Sequence, residues 1–397
     1  MSNLEKLLYG AEVKWKTLGE IGEIYGGLTG KSKTDFENGN AKYVSYKNIF
    51  SNIEVDFEKL ENVKVASNEN QYQVKYGDIL FTGSSETPDE AGMSSAVTTK
   101  LEGSVYLNSF SFGLRFNDDI ELLPEFSKYL FRSHFMRLEI SKTASGVTRY
   151  NVSKARFKKL KIPIPPLPVQ REIVRILDTF TELTAELTAE LTARKQQYEY
   201  YRNKLLDFNG LNNNGGGYKW LTINEICKIM RGKRLVKSQL EESGKYAVFQ
   251  NSMTPLGYYH ESNVQADTTF IISAGSAGEI GYSNHDFWAA DDVYYFVTPE
   301  NFKSRFLYYF LLTQQNKISG QVRKASVPRL SKTVFEKMLI PIPTLDEQQR
   351  IITILDKFDT ITTSFSEGLP KEIELRKKQY EYYRDLLLTF PNNNIES

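Results

Sequence analysis

From Val169 to Phe208 the apolar positions Ile173, Ile176, Leu177, Phe180, Leu183, Leu187, Leu191, Tyr198, Tyr201, Leu205 and Phe208 recur largely at steps of three and four. That spacing predicts an amphipathic helix. With no Gly or Pro inside it, the helix is a rod of roughly 60 Å. A second stripe, which includes Ile351, Leu355, Phe358 and Tyr380, runs from Asp346 to Phe390. Gly368-Leu369-Pro370 interrupts it, so a kink or restart is expected there. A narrow stripe on so long a rod cannot be covered by one small domain, and the two rods are expected to bury their stripes against each other. Elsewhere the pattern is short and strand-like: Tyr43–Tyr46, Asp78–Phe81, Val105–Leu107 and Ser111–Phe116, then Tyr246–Phe249, Thr269–Ile272 and Val293–Phe296. These runs are rich in β-branched and aromatic residues and are separated by Gly, Ser and Asn. Residues 124–138 and 302–315 read as helices.

The same phrases occur twice. Ile162-Pro-Ile-Pro-Pro-Leu167 returns as Ile340-Pro-Ile-Pro-Thr-Leu345, and Gln197-Tyr-Glu-Tyr-Tyr-Arg202 as Gln379-Tyr-Glu-Tyr-Tyr-Arg384. Trp15, Leu18, Glu20, Ile21 and Gly27 match Trp220, Ile223, Glu225, Ile226 and Gly232. The offset is 205 residues from Trp15 to Trp220 and 178 from Ile162 to Ile340, far too long for a solenoid. The chain is two copies of one unit, each a globular part followed by a Pro-marked helix. Between the matched edges the copies diverge, as expected of two readers of different targets. Asn212–Gly217 (Asn-Asn-Asn-Gly-Gly-Gly) is a flexible linker between them.

Inside the first rod Thr184-Ala-Glu-Leu187 is followed by Thr188-Ala-Glu-Leu191. Each tetrapeptide adds about 6 Å to a helix. Duplicating it changes the length of the rod and not its chemistry, as a ruler would require.

Composition narrows the class. Of 397 residues 40% are hydrophobic and 25% charged, which is globular and large enough for two domains. Cys227 is the only cysteine, so no internal disulfide forms and a reducing, cytoplasmic setting is expected. Met1–Gly10 has no signal-peptide character, and no apolar run approaches the length of a membrane helix. Net charge is only +1, but the cations cluster. Lys142, Arg149, Lys154, Arg156, Lys158, Lys159 and Lys161 form one group, Arg231, Lys233, Arg234 and Lys237 another, and Lys317, Arg323, Lys324, Arg329 and Lys332 a third. Such local basic faces can hold phosphates on a nearly neutral chain.

No catalytic constellation emerges. Gly26–Ser32 ends like a phosphate loop, but Tyr25 stands where the first Gly is required. A Gly-rich loop carrying Lys31 and Lys33 suits a DNA phosphate better. His134, His260 and His285 are scattered, so no metal site is expected, and His134 reads as a packing residue. Asp291-Asp292 reads as a solvated strand end. No Asn- or Asp-Pro-Pro-aromatic sequence is present to hold an extruded adenine.

The positive signal is basic residues mixed with small polar and aromatic ones on loops. Ser145–Tyr150 and Arg323–Arg329 occupy equivalent places, each just before a Ser-Lys pair. Candidate DNA contacts in the first copy are Lys31, Lys33, Tyr46, Lys47, Asn48, Thr82, Ser84, Arg149, Tyr150 and Lys154. In the second they are Arg231, Lys233, Arg234, Gln250, Asn251, Ser273, Ser276, Arg323, Lys324, Arg329 and Lys332. Arg offers two donors to guanine, Asn or Gln brackets adenine, and Lys or Ser anchors phosphate.

The order of globular part, I-P-I-P-P-L-x-x-Q helix, second globular part and I-P-I-P-x-L-x-x-Q-Q helix resembles the specificity subunits of Type I restriction-modification systems. Asp78–Phe81 and Ala274–Gly281 also look like segments of that family. The resemblance implies an α+β fold: recognition domains over residues 1–163 and 212–341, spacer helices over 164–211 and 342–397, the helices antiparallel. It implies that each domain reads one half of a split site in double-stranded DNA, with no catalysis, cofactor or metal in this chain. The implied partners are two methylation subunits carrying S-adenosylmethionine, and motor-nuclease restriction subunits using ATP and Mg. The alternative is a coiled-coil scaffold whose globular ends bind protein, which predicts no salt-dependent binding to duplex DNA.

Overall fold

The computed structural model describes residues 12–208, 218–364 and 367–390. Met1–Gly10 and the Asn212–Gly217 linker lie outside the described residues. The chain forms two compact units, one gathering the chain up to Glu186 with the stretch from Glu374 onward, the other running from Leu187 to Ile373. Each unit therefore holds one globular part, the start of the rod that follows it and the end of the other rod.

In the first unit Ile79-Leu-Phe-Thr82 is buried along its whole length at the centre of a four-stranded antiparallel sheet. Its neighbours are Ser111–Phe116 and Ser94–Ala96, and Gly22–Gly26 closes the far edge. Alternation sends Ile79 and Phe81 to one core and Leu80 to another. Phe81 meets Phe112, Phe131 and Phe157 at ring centroids 5.3, 5.3 and 4.9 Å away. Burying each such ring stabilises the fold by about 1.5–3 kcal/mol.

The second unit repeats this order with Lys228–Arg231, Val293–Val297, Thr268–Ile272 and Ile280–Ser283. Each unit adds a three-stranded sheet with one parallel pair, Ala41–Val44 beside Val105–Leu107 and Tyr246–Phe249 beside Phe287–Ala289. The repeated sequence phrases meet in a two-stranded ribbon, with Trp15 opposite Pro163 and Trp220 opposite Pro341. Proline is tolerated there because the ribbon needs only its outer edge free. Each ribbon leads into a short helix with a capping box, Thr17 with Glu20 and Thr222 with Glu225.

Three sequence expectations need correction. The run Tyr43–Tyr46 is a strand only to Val44; Ser45 adopts an extended N-cap conformation and a helix, Tyr46–Ser51, follows. The helix expected over 124–138 is two, Pro124–Leu130 and His134–Ser141, because the Ser133 hydroxyl accepts from the Met136 amide and starts a new helix. His134 is exposed at that start rather than packed in a core, and its N–H donates to Asp385.

The first rod is one 39-residue helix, Leu167–Leu205, about 58 Å at 1.5 Å per residue. The second is two 19-residue helices, Leu345–Thr363 and Leu369–Leu387, broken beside Gly368. A Cβ on Gly368 would stand 2.4 Å from the Thr360 carbonyl, so the break requires glycine. In the first unit Ile173 and Leu177 share a core with Leu387, Leu388 and Phe390, and Phe180 stacks on Tyr383 at 5.3 Å. In the second, Tyr198 shares a core with Ile351 and Leu355 and meets Phe358 at 6.2 Å. Start meets end and end meets start, so the rods run antiparallel. Leu187 and Leu191 are only half-buried.

Candidate nucleic-acid interface

In the first unit several segments meet at one end of the four-stranded sheet. Gly22–Gly26 and Ile79–Thr82 end there and Ser111–Phe116 begins there, as the pairs Gly26–Phe112 and Thr82–Ser111 fix. The basic hairpin is stitched to the same end, Tyr150 pairing with Ser85 and Asn151 with Ser84. The Tyr46 phenol donates 2.8 Å to the Ser84 carbonyl, which brings the helix Tyr46–Ser51 alongside. Burial raises the Tyr46 pKa, so the phenol stays protonated. Phe110, at the turn into the sheet, is 61% exposed, and the Arg149 guanidinium stands 5.8 Å over its ring. Lys154 lies 5.8 Å over Phe112. Cation–π contacts of about 0.5–1 kcal/mol at exposed sites orient a cation without withdrawing it from solvent.

Behind this end lie two arginines whose hydrogen bonds to oxygen all reach backbone carbonyls. Arg132 donates to Ile49, Phe50, Asn52 and Ser94, and Arg137 to Asp89, Ala91 and Gly92. Burial pushes both down to about 10, which still leaves them cationic at neutral pH. Arg132 thereby satisfies carbonyls that the short helix leaves open at its C-terminus.

The second unit assembles the matching segments at the matching end. Arg323 and Arg329 exchange backbone hydrogen bonds of 2.9 and 3.2 Å, closing the neck of the second basic hairpin. Gly275 N–H donates to Pro328, Leu330 N–H to Ser273 and Ser276 N–H to the Asn251 carbonyl, at 3.2, 2.8 and 2.8 Å. Gly275 has φ +79°, and a Cβ there would lie 2.6 Å from the Asn251 carbonyl. Only glycine lets these two loops approach so closely. Arg231 Nε donates 2.7 Å to the Asp291 carbonyl, and Asp291 and Asp292 are half-buried at this end.

The structure thus brings together Tyr46, Ser84, Arg149, Tyr150 and Lys154 in one unit. In the other it gathers Arg231, Asn251, Ser273, Ser276, Arg323 and Arg329. Lys33, Lys47, Lys233, Arg234 and Lys324 are exposed, while Gln250 is half-buried. Lys332 is half-buried with Glu336 3.7 Å away.

Several candidates are internal braces instead. Asn48 is buried, donating to the Asp56 carbonyl at 2.8 Å and accepting from its amide at 3.0 Å. The buried Thr82 hydroxyl accepts from the Met93 amide, and Ser273 Oγ donates to the Asp292 carbonyl. Ser84 is buried in the ribbon, and its carbonyl rather than its hydroxyl is what receives Tyr46. The Lys31 side chain is 6% exposed and paired with Glu69. Small polar residues after a strand can satisfy the backbone as readily as a ligand, and sequence does not separate the two.

Sequence reasoning missed Phe50, Glu86, Glu90 and Phe110. Phe50 follows Tyr46 by four positions and their rings stack at 6.0 Å, a spacing legible only once the segment is known to be helical.

The Type I restriction modification DNA specificity domain model matches residues 11–194 and 215–375. The chain is 32% identical to the type I restriction enzyme EcoR124I/EcoR124II specificity subunit of Escherichia coli, over 98% of each chain. It is 31% identical to a putative type I restriction enzyme specificity subunit of Haemophilus influenzae, again over 98% of each. In fold it is similar to a crystal structure of the Type-I restriction-modification S subunit from M. genitalium, with TM-score 0.58, 19% identity and coverage of 99% and 100%. Two regions matched by the family model and a relative alike over 98% of each chain lead to one conclusion: the chain belongs to the type I restriction-modification specificity subunit family.

Proposed function

We propose that this chain is the DNA-reading subunit of a type I restriction-modification complex, each unit recognising one half of a bipartite site. The observation that carries the reading is the convergence, in both units, of a basic hairpin and the loop after the central strand at the same end of the same sheet. Exposed cations there dock phosphates, and aromatic and polar side chains between them reach base edges in the major groove. The chain supplies address and no reaction; partner subunits carry S-adenosylmethionine, ATP and Mg, and methylate adenine or cleave, in the cytoplasm.

The rod Leu167–Leu205 is the ruler for the unread spacer of the DNA site. Half-sites on one face of a duplex recur about 34–36 Å apart per turn, within the span of a helix of this length. The globular readers correspond to residues 1–163 and 212–341, and the spacers to 164–211 and 342–397.

A repeated exposed aromatic supports two equivalent partner positions. Tyr200 and Tyr382 hold the same place in the Gln-Tyr-Glu-Tyr-Tyr-Arg phrase and are 58% and 64% exposed. Each is set edge-on to its neighbour, Tyr201 or Tyr383, at 5.3 and 5.4 Å. Large exposed rings at matching places suit two copies of one partner, the methylation subunit.

The test is a domain exchange. Replacing Trp220–Lys337 by the matching region of a relative, then mapping methylated adenines, should change one half of the modified word and keep the other. An unchanged word defeats the reading. The protein-binding scaffold alternative predicts instead that the full chain shows no salt-dependent binding to duplex DNA.

A further inference from the structure

We propose that a recess in the first unit, between Tyr46, Phe50, Glu86, Glu90, Thr148 and Arg149, selects a C·G base pair in that unit's half-site. The inference rests on the DNA-reading function proposed above. The recess encloses about 430 Å³ beside the Arg149–Phe110 contact, at the sheet end where the loops converge.

It is an addition peculiar to this unit. The span from Phe81 to Ser94 is four residues longer than the matching span from Ile271 to Ile280, and the longer loop contains Glu86 and Glu90. The helix bearing Tyr46 and Phe50 has no helical counterpart after Tyr246–Phe249. Both additions are clamped from behind, the loop by Arg137 and the helix by Arg132. Among the described residues the second unit has neither clamp. Leu312 follows Tyr309 at the spacing at which Arg132 follows Tyr129, and neutral Gln315 holds the Gly278 carbonyl where Arg137 holds that of Gly92. Two half-buried cations with carbonyl partners make a costly construction. What they hold still is this recess, so its walls lose little freedom on binding.

The lining decides the ligand. Carboxylates at Glu86 and Glu90 repel phosphate, so the recess is built for a hydrogen-bond donor. In the major groove cytosine offers its exocyclic amino group to a carboxylate, and the paired guanine offers O6 and N7 to an arginine. Glu86 or Glu90 with Arg149 matches both edges of one C·G pair. Stacked Tyr46 and Phe50 supply the apolar wall.

The experiment selects from a randomised duplex library on the full chain, at low and high salt, and sequences what binds. Wild type should require C·G at one position of one half-site. Glu86→Gln combined with Glu90→Gln should lose that preference, roughly 5- to 150-fold, and leave the other half-site intact. Arg149→Ala should relax the same position. All three residues are exposed, so the variants keep the fold. If the double variant keeps every preference and merely binds all DNA more tightly, the carboxylates only repel phosphate and the proposal is overturned, with the DNA-reading function standing. If relaxation falls on a pair other than C·G, the proposal is likewise overturned. If wild type prefers no sequence at all, the DNA-reading function fails with it.

Discussion

The phenol of Tyr129 donates a 2.6 Å hydrogen bond to the carboxylate of Asp178, joining the globular part of the first unit to the rod that leaves it. Tyr309 and Asp356 repeat the bond in the second unit, where Arg305 joins the same carboxylate at 2.8 Å. Removing only the hydroxyl keeps the ring in place and leaves a carboxylate short of a donor. Tyr129→Phe should therefore lower stability by about 1.5–3 kcal/mol, read as a lower urea midpoint at unchanged slope. An unshifted midpoint would reduce the bond to decoration.

Gln170 and Gln348 tie each rod to the segment that enters an earlier helix, Pro124–Leu130 or Ser304–Thr313, by the same three bonds. Gln170 accepts from the Leu123 amide and donates to the carbonyls of Glu121 and Pro165, at 2.9, 2.8 and 2.7 Å. Gln348 does the same with Lys303, Asn301 and Pro343. Alanine at either position should cost about 1–3 kcal/mol through unpaired backbone groups. Hydrogen exchange should quicken first at the Leu123 amide in Gln170→Ala and at the Lys303 amide in Gln348→Ala. Uniform quickening across the chain would argue against a local tie.

Burial pushes the Cys227 thiol up to about 12, so at pH 8 the folded protein holds almost no thiolate there. A disulfide reagent at pH 8 should react at the rate at which the second unit opens, and much faster in denaturant. Labelling of the native protein at the rate of a free thiol would contradict this.

Deleting Thr188–Leu191 should shorten the unread spacer of the DNA site by one or two base pairs, since about 6 Å of helix corresponds to nearly two steps of about 3.4 Å. Both half-sites should stay as they are. The segment carries no fully buried residue, so the change spares both cores. Methylated adenines at unaltered spacing would refute the ruler.

Tyr200→Ala should remove one methylation subunit from the complex and Tyr382→Ala the other, with the double variant losing both. Native mass spectrometry reads the stoichiometry. Retention of both partners by the double variant would move the docking face elsewhere.

The scaffold was legible in the sequence because its rules are periodic or repeated. The stripe through Ile173 and Leu177, the glycine break at Gly368 and the paired Trp15 and Ile-Pro-Ile-Pro phrases each map onto an element. The candidate interface was legible only in outline. The two basic hairpins stand where the repeat placed them, but Thr82 and Ser273 face the backbone they brace, and Asn48 closes its own loop. Phe110 and Glu86 carried no pattern, because an exposed ring or carboxylate on a loop is unremarkable until its neighbours are known. The sites of contact depend on long-range pairing, and pairing is what a single sequence states least directly.

Leu387, Leu388 and Phe390 are core residues of the first unit, although the whole second unit precedes them in the chain. As the protein leaves the ribosome, the domain made first cannot be completed until the helix Leu369–Leu387 and Phe390 have been translated. The second globular part can close earlier, while its elder twin waits with the stripe of its rod at Ile173 and Leu177 still short of these partners. Losing the helix Leu369–Leu387 would thus cripple the globular part made first, and a nascent chain arrested before it would expose an apolar seam for chaperones to guard.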